Sequence, residues 1–343
     1  MKHKIKTFLW TAVAILALGF LVYSTPKETF RQTISRVSWY CVLTAVLLYF
    51  VAQTLLASRW VLLLRVQGIY ISQFQAIRLT YMGLFYNNFM PGAVGGDLLK
   101  GWYITHHSEK HLRVEAAVTV FVDRLIGLIG MILVAGIASL FISPELGPQM
   151  DNGQRLQIRW LVWAIFLMMV IVSIIFLSRH VRRVLMISRI LQKLPFEKAL
   201  RQIDDAIRIY RHHKRVVLIS LLLTALIQGL SIVAIWLLTQ SLHFEKVTFI
   251  QCLIIMPVIW VISAAIPVPG GIGIIENCVK YLFCLVINPD APGQAVGQAV
   301  ALALLIRIMI CLCSLPGALV PIFGGHLPKR SELSKQISEE KNA

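Results

Sequence analysis

Long apolar runs separated by short polar or basic stretches dominate this chain. Six of them, at 7–23, 38–57, 114–142, 158–178, 216–242 and 297–323, have few interruptions. A helix of about 20 apolar residues crosses a hydrocarbon core of roughly 30 Å. Because a helix satisfies its own backbone polar groups, each run predicts a membrane-spanning helix. Two further regions, 73–105 and 248–287, are also apolar but are broken by Pro and Gly. Each predicts a re-entrant hairpin or a pair of helices, and either way the chain returns to the side it left. The expected fold is an all-α polytopic membrane protein with about six full spans plus two broken hairpins, or eight spans, in one bundle over residues 1–325.

Composition agrees with this pattern. Of 343 residues, 57% are apolar and 14% are charged, against roughly a quarter charged in soluble domains. The net charge of +17 does not point to nucleic acid, because the basic residues sit between apolar runs, where the positive-inside rule places them. The six cysteines lie in or beside apolar runs, without metal-ligand spacing, and read as free thiols in the membrane. No metal or cofactor is expected. The first run follows a basic start and is followed by Ser24, Thr25 and Pro26 rather than a small-residue cleavage site, so it reads as a retained anchor.

Charge also orients the bundle. The 179–215 connection carries eleven Lys and Arg against three acids, whereas 143–157 has Glu145, Asp151 and only Arg155. The first is expected in the cytoplasm and the second outside, which puts both termini and the 326–343 tail on the cytoplasmic side of an inner membrane. The 24–37 loop falls outside despite Lys27, Arg31 and Arg36. Within 179–215, Phe196, Leu200, Ile203, Ile207 and Tyr210 recur at helical spacing among basic residues. They describe either an amphipathic helix on anionic inner-leaflet lipids or a plain connector. His106, His107, Lys110 and His111 read as a solvated face. Trp10, Trp39, Trp60, Trp102 and Trp160 fit the interfacial aromatic belt.

The chemistry concentrates at the two breaks. The first contains Asn88, Pro91, Gly92, Gly95, Gly96 and Asp97, with Lys100 one turn on; the second contains Pro269, Gly270, Gly271, Gly273 and Glu276. Pro removes a backbone donor and Gly allows left-handed or extended geometry. Unwound backbone at membrane depth must be buried in protein or line a polar cavity. A helix restarting there presents free N–H groups suited to phosphate or carboxylate. The run after each break holds an arginine, Arg124 (preceded by Asp123) in one and Arg307 in the other. An ionised side chain at that depth costs several kcal/mol and calls for a partner or a cavity. Asp123 and Arg124 point to different faces of a helix. Asp97 and Glu276 are either helix caps or functional groups. Read as span, span, broken hairpin, span, residues 7–142 and 158–323 form inverted halves, and paired breaks in such halves mark a transport site.

Asn88 to Lys100 reads N-x-x-P-G-x-x-G-G-D-x-x-K, and with Asp123-Arg124 and the stretch Pro267 to Glu276 it resembles the lysylphosphatidylglycerol synthase/flippase transmembrane-domain family over roughly residues 5–325. The resemblance implies a multi-span bundle that moves a lipid between leaflets: a phospholipid, an aminoacyl-phospholipid, a glycolipid or a polyprenyl-linked lipid. A separate synthase or glycosyltransferase is a candidate partner. Bifunctional members continue into a soluble aminoacyl-transferase domain, whereas little follows the last span here, so no enzymatic activity is expected. An intramembrane lipid-modifying enzyme and a lipid-presenting subunit are the alternatives. There is no GxxxxGK[ST], HExxH or GxSxG motif.

Overall fold

The computed structural model describes residues 27–89, 95–107, 112–140, 209–210, 212–244, 247–265, 269–287 and 292–323, and single residues at 160, 163, 164 and 167. Runs 7–23 and 158–178 lie almost wholly outside the described residues, as do most of the amphipathic stretch and the 326–343 tail. The helices are α1 Lys27–Ser35, α2 Trp39–Val66, α3 Gln73–Phe89, α4 Gly95–His107 and α5 Arg113–Leu140, then α6 Lys214–Ser241 and α7 Phe249–Ala265. After a 3₁₀ turn at Pro269–Gly271 come α8 Ile274–Ile287, α9 Pro292–Ser314 and α10 Pro316–Phe323. The protein is an all-α polytopic membrane protein, and its described residues contain no strand.

The length of α2 and α6, 28 residues each, gives about 42 Å at 1.5 Å per residue. Both are long and apolar enough to cross a bilayer, as is the stretch Ala295–Val320. Run 38–57 therefore continues to Val66, which brings Arg59 inside a helix. Run 297–323 is two helices, since Pro316 has no N–H to continue α9 and instead opens α10. Each broken region resolves into two helices, α3 and α4 in the first and α7 and α8 in the second.

Burial is inverted relative to a soluble bundle. On α2, Tyr40, Leu43, Leu47, Phe50 and Val51 face outward at helical spacing, and on α6 Leu218, Leu222 and Leu226 do the same. Polar Ser220, Thr224, Ser231, Thr239 and Ser241 of α6 face inward. Lipid solvates leucine as well as a protein core does, so close packing and internal polar contacts hold helices together here. Small residues serve that packing: Ala45, Ala52 and Ala57 of α2 are completely buried. The Ser38 amide donates to the Ser241 carbonyl at 2.9 Å, and Arg59 reaches Thr224 two-thirds of the way along, so α2 and α6 run antiparallel.

The described residues form three apolar cores, the smallest of which packs Leu63 of α2 with Val118, Val122 and Ile126 of α5 and with Tyr210. Another joins α6, α7, α8 and α9 with Ala45 of α2, has Phe283 and Leu302 among its members, and carries Trp236 packed against it. The third joins α2, α3, α4 and α5 around Trp60 and Leu64, with Val320 of α10 packed on it. Helix α10 closes on α3 where Gly317 lies on the Tyr81 carbonyl, and a Cβ there would overlap that backbone and press on Phe85. Gly317→Ala is expected to cost about 1–3 kcal/mol, the usual range for overpacking, read as a lower melting temperature of the purified protein.

Candidate functional site

Pro91 and Gly92 lie outside the described residues, but both flanks of the first break are defined. Helix α4 restarts at Gly95, and the Gly96 amide, an unpaired donor of its first turn, donates to Asn87 Oδ1 at 2.8 Å. Gly96 also lies against the Gly83 carbonyl of α3, leaving no space for a side chain. Asp97, in the next position, takes Arg124 of α5: Nη2 is 2.7 Å from Oδ1 and 2.6 Å from Oδ2. Asp97 is mostly covered at 14% side-chain exposure, whereas Arg124 is 59% exposed. A guanidinium held at one nitrogen keeps further donors for an oxyanion.

Asp123 turns away from Arg124, as adjacent helix positions do, into a buried charge cluster. Arg59 of α2 donates through Nε to Asp123 Oδ1 and through Nη2 to the Asp123 carbonyl, each at 3.0 Å. Arg59 Nη1 donates to Thr224 Oγ1 at 2.7 Å, and the Thr224 hydroxyl in turn donates to the Ser220 carbonyl. Gly127, one turn after Asp123, leaves room for the guanidinium. Lys100 Nζ lies 3.9 Å from Asp123 Oδ2 and 3.8 Å from the centre of the Trp60 ring, a cation–π contact. The Arg59, Lys100 and Asp123 side chains are at most 7% exposed.

The second break is more enclosed. Gly270, Gly271 and Gly273 have φ of 56°, 63° and 84°, a left-handed run that side-chain-bearing residues adopt at a cost. Glu276 spans the turn: Oε2 accepts the Gly273 amide at 2.7 Å, and Oε1 accepts Arg307 Nε at 2.5 Å. Arg307 Nη1 donates to the Gly270 carbonyl at 2.9 Å, while Nη2 is buried without a hydrogen-bond partner. Asn277 Nδ2 donates to the Gly273 carbonyl at 2.6 Å. Glu276 is thus both a cap and an ion-pair partner. Pro269 opens the turn.

The breaks touch. A Cβ on Gly270 would lie 3.1 Å from the Asn88 Cα, so the end of α3 packs directly on the second glycine turn. The structure therefore gathers Asn88, Gly95, Gly96, Asp97, Lys100, Asp123 and Arg124 with Pro269, Gly270, Gly271, Gly273, Glu276 and Arg307. Sequence reasoning missed Arg59, Thr224, Trp60 and Asn87. An arginine at the edge of an apolar run was a usable signal for Arg59, whereas nothing in the sequence links Thr224 to it. Trp60 is completely buried, so it is not an interfacial aromatic: it belongs to the site as the surface under Lys100. Trp102 stacks on His106 at 4.1 Å, so this histidine is not simply a solvated group.

Such an arrangement defines a class: a multi-pass helical membrane protein in which two glycine-rich breaks meet, each backed by an acid–arginine pair from a neighbouring helix. A family model described as the lysylphosphatidylglycerol synthase TM region matches residues 8–317, and the chain belongs to that family. A UPF0104 membrane protein of Pyrococcus horikoshii is 23% identical over 325 residues, covering 89% of this chain and 92% of the relative. The family fits a membrane role connected with lipid.

Two buried cations depend on one carboxylate, which sets an order of sensitivity. Asp123→Asn leaves Arg59 and Lys100 facing each other and is expected to cost about 3–5 kcal/mol. Adding Lys100→Met should recover part of that loss, the sign of coupling in a double-mutant cycle. Thermal melting of the four proteins in one detergent measures it. Strictly additive losses would mean that the three side chains do not act as a unit.

Proposed function

We propose that this protein is a lipid translocator, moving the head group of a phosphate-bearing lipid across the membrane between the two breaks while the acyl chains remain in the bilayer. The observation that carries this reading is the contact of Asn88 with Gly270, between breaks that each hold an acid–arginine pair. Unwound backbone at membrane depth is tolerated where it is buried or lines a cavity, and paired broken helices characterise transport sites. In this reading each broken region is a re-entrant hairpin, and the halves are inverted about the contact. The protein sits in the inner membrane with both termini in the cytoplasm.

Arg124 has the most accessible cationic head among the described members of the site and makes first contact with phosphate. The Gly95 and Gly273 helix starts and Lys100 add positive potential. Arg307 follows as Glu276 releases it, and Asp97 and Glu276 act as gates that recapture their arginines behind the cargo. The reading contains no catalytic step. The lipid is made by a separate synthase or glycosyltransferase, and the basic 179–215 connection rests on anionic inner-leaflet lipids. The choice among phospholipid, aminoacyl-phospholipid, glycolipid and polyprenyl-linked lipid turns on head-group chemistry.

Leaflet-resolved lipid movement in proteoliposomes tests the reading. Arg124→Gln should slow movement roughly tenfold or more, the scale of one lost charge-assisted hydrogen bond, with a smaller loss of stability than at Arg307, because the acid left behind, Asp97 at 14% exposure, is less enclosed than Glu276 at 1%. Arg307→Ala should also unfold part of the population, since Glu276 is then left buried and unpaired; Arg307→Lys separates the two effects. Lipid movement equal to wild type in a folded Arg124→Gln protein would sink the proposal. A chemically altered lipid would favour an enzyme, and neither movement nor product a lipid-presenting subunit.

A further inference from the structure

The charges around the breaks do not balance equally. Asp97 with Arg124 and Glu276 with Arg307 are each one acid on one base, neutral as pairs. The cluster behind the first break is different: among the described residues, Arg59 and Lys100 both pair with Asp123. All three side chains are more than nine-tenths buried. Arg59 takes the carboxylate and the backbone carbonyl with good geometry and spends another donor on Thr224. Lys100 is left with a 3.9 Å approach to the other carboxylate oxygen and the face of Trp60. That approach is too long for a hydrogen bond, and no hydrogen bond to Nζ is made by the described residues. A buried cation is normally paired, so among the described residues one positive charge stands in excess at this end of the site.

Its position is suited to the cargo. Lys100 follows Asp97 by three residues on α4, so the two share a face, and Asp123 precedes Arg124 on α5. The Lys100 ammonium, which has three donors to offer, thus stands one helical turn along from the acid that holds the exposed Arg124 head.

We propose that the site is built for a lipid whose head group carries one net negative charge on a phosphodiester, with Lys100 as the charge that selects it. This rests on the translocator reading for the identity of the site and narrows its substrate class. A phosphodiester that is the only charged group of its lipid makes the cluster neutral. A zwitterionic head group leaves the excess in place, and an aminoacyl ester bearing two ammonium groups adds a further positive charge to a buried region. Such a difference is costly in a poorly hydrated interior, so discrimination comes from net charge as much as from phosphate contact.

Binding to the full chain in phosphatidylcholine nanodiscs tests this without requiring movement. The probes are phosphatidylglycerol, phosphatidylethanolamine, the lysyl ester of phosphatidylglycerol, and inorganic phosphate. Phosphatidylglycerol should bind more tightly than the other three. Its affinity should fall roughly tenfold or more in Lys100→Met, as for a lost charge-assisted hydrogen bond, and be largely kept in Lys100→Arg. Lys100→Met should melt no lower than wild type in pure phosphatidylcholine, because it removes a buried charge held only by a long ion pair and a ring contact, while Arg59 still holds Asp123. Lys100→Gln provides the same comparison if the methionine variant folds poorly. Equal phosphatidylglycerol affinity in wild type and the neutral variants overturns the proposal, and so does lysyl-ester binding as tight as that of phosphatidylglycerol. Inorganic phosphate matching the lipid with the same Lys100 dependence overturns the lipid assignment. Charge-dependent binding without translocation removes the translocator reading and leaves this one standing. Translocation indifferent to the charge at 100 does the reverse.

Discussion

Backbone polar groups opened where a helix breaks and restarts within a packed bundle need partners from side chains, and this constraint organises the protein. Each break exposes amides and carbonyls that side chains must satisfy. At the first, the Asn87 amide oxygen accepts Gly96 N–H. At the second, Glu276 accepts Gly273 N–H while its other oxygen holds Arg307, which in turn donates to the Gly270 carbonyl. The polar side chains near the breaks are therefore not ornaments on an apolar bundle. They complete hydrogen bonding that regular helices would have completed for themselves, and they tie α8 to α9 in doing so.

Once arginines are brought in to meet that demand, the acids follow. Each of these arginines takes a carboxylate, and each break supplies one within its restarting helix. The pairs differ in enclosure: Glu276 and Arg307 are sealed at 1% and 11% side-chain exposure, whereas Arg124 opens outward. The extra cluster of Arg59, Lys100 and Asp123 is attached to the open pair. The first break thus combines access with surplus positive charge, and the second combines closure with neutrality. A site that handles an anion gains from that division, since attraction is greatest where the ligand enters.

Much of this was legible beforehand. Apolar run lengths identified an all-helical membrane protein, because helices satisfy their backbone within the segment and leave a one-dimensional signature. The P-G-x-x-G patterns located both breaks, since Pro and Gly act locally on the chain. The arginines of α5 and α9 stood out as charges in apolar surroundings. What escaped was partnership. Arg59 seemed to lie beyond a span that in fact continues to Val66. Trp60 looked interfacial by composition although it is completely buried.

The sequence by itself determined the class of protein, the positions of the breaks and the kinds of charge near them, because each depends on neighbours within a turn or two along the chain. Only the tertiary structure decided that Asp97 takes Arg124 while Asp123 takes Arg59, that Lys100 rests on Trp60, and that Asn88 meets Gly270. Those pairings join residues up to 182 positions apart. They follow from which helix faces pack together, a matter of side-chain shape across the whole bundle that no local pattern encodes.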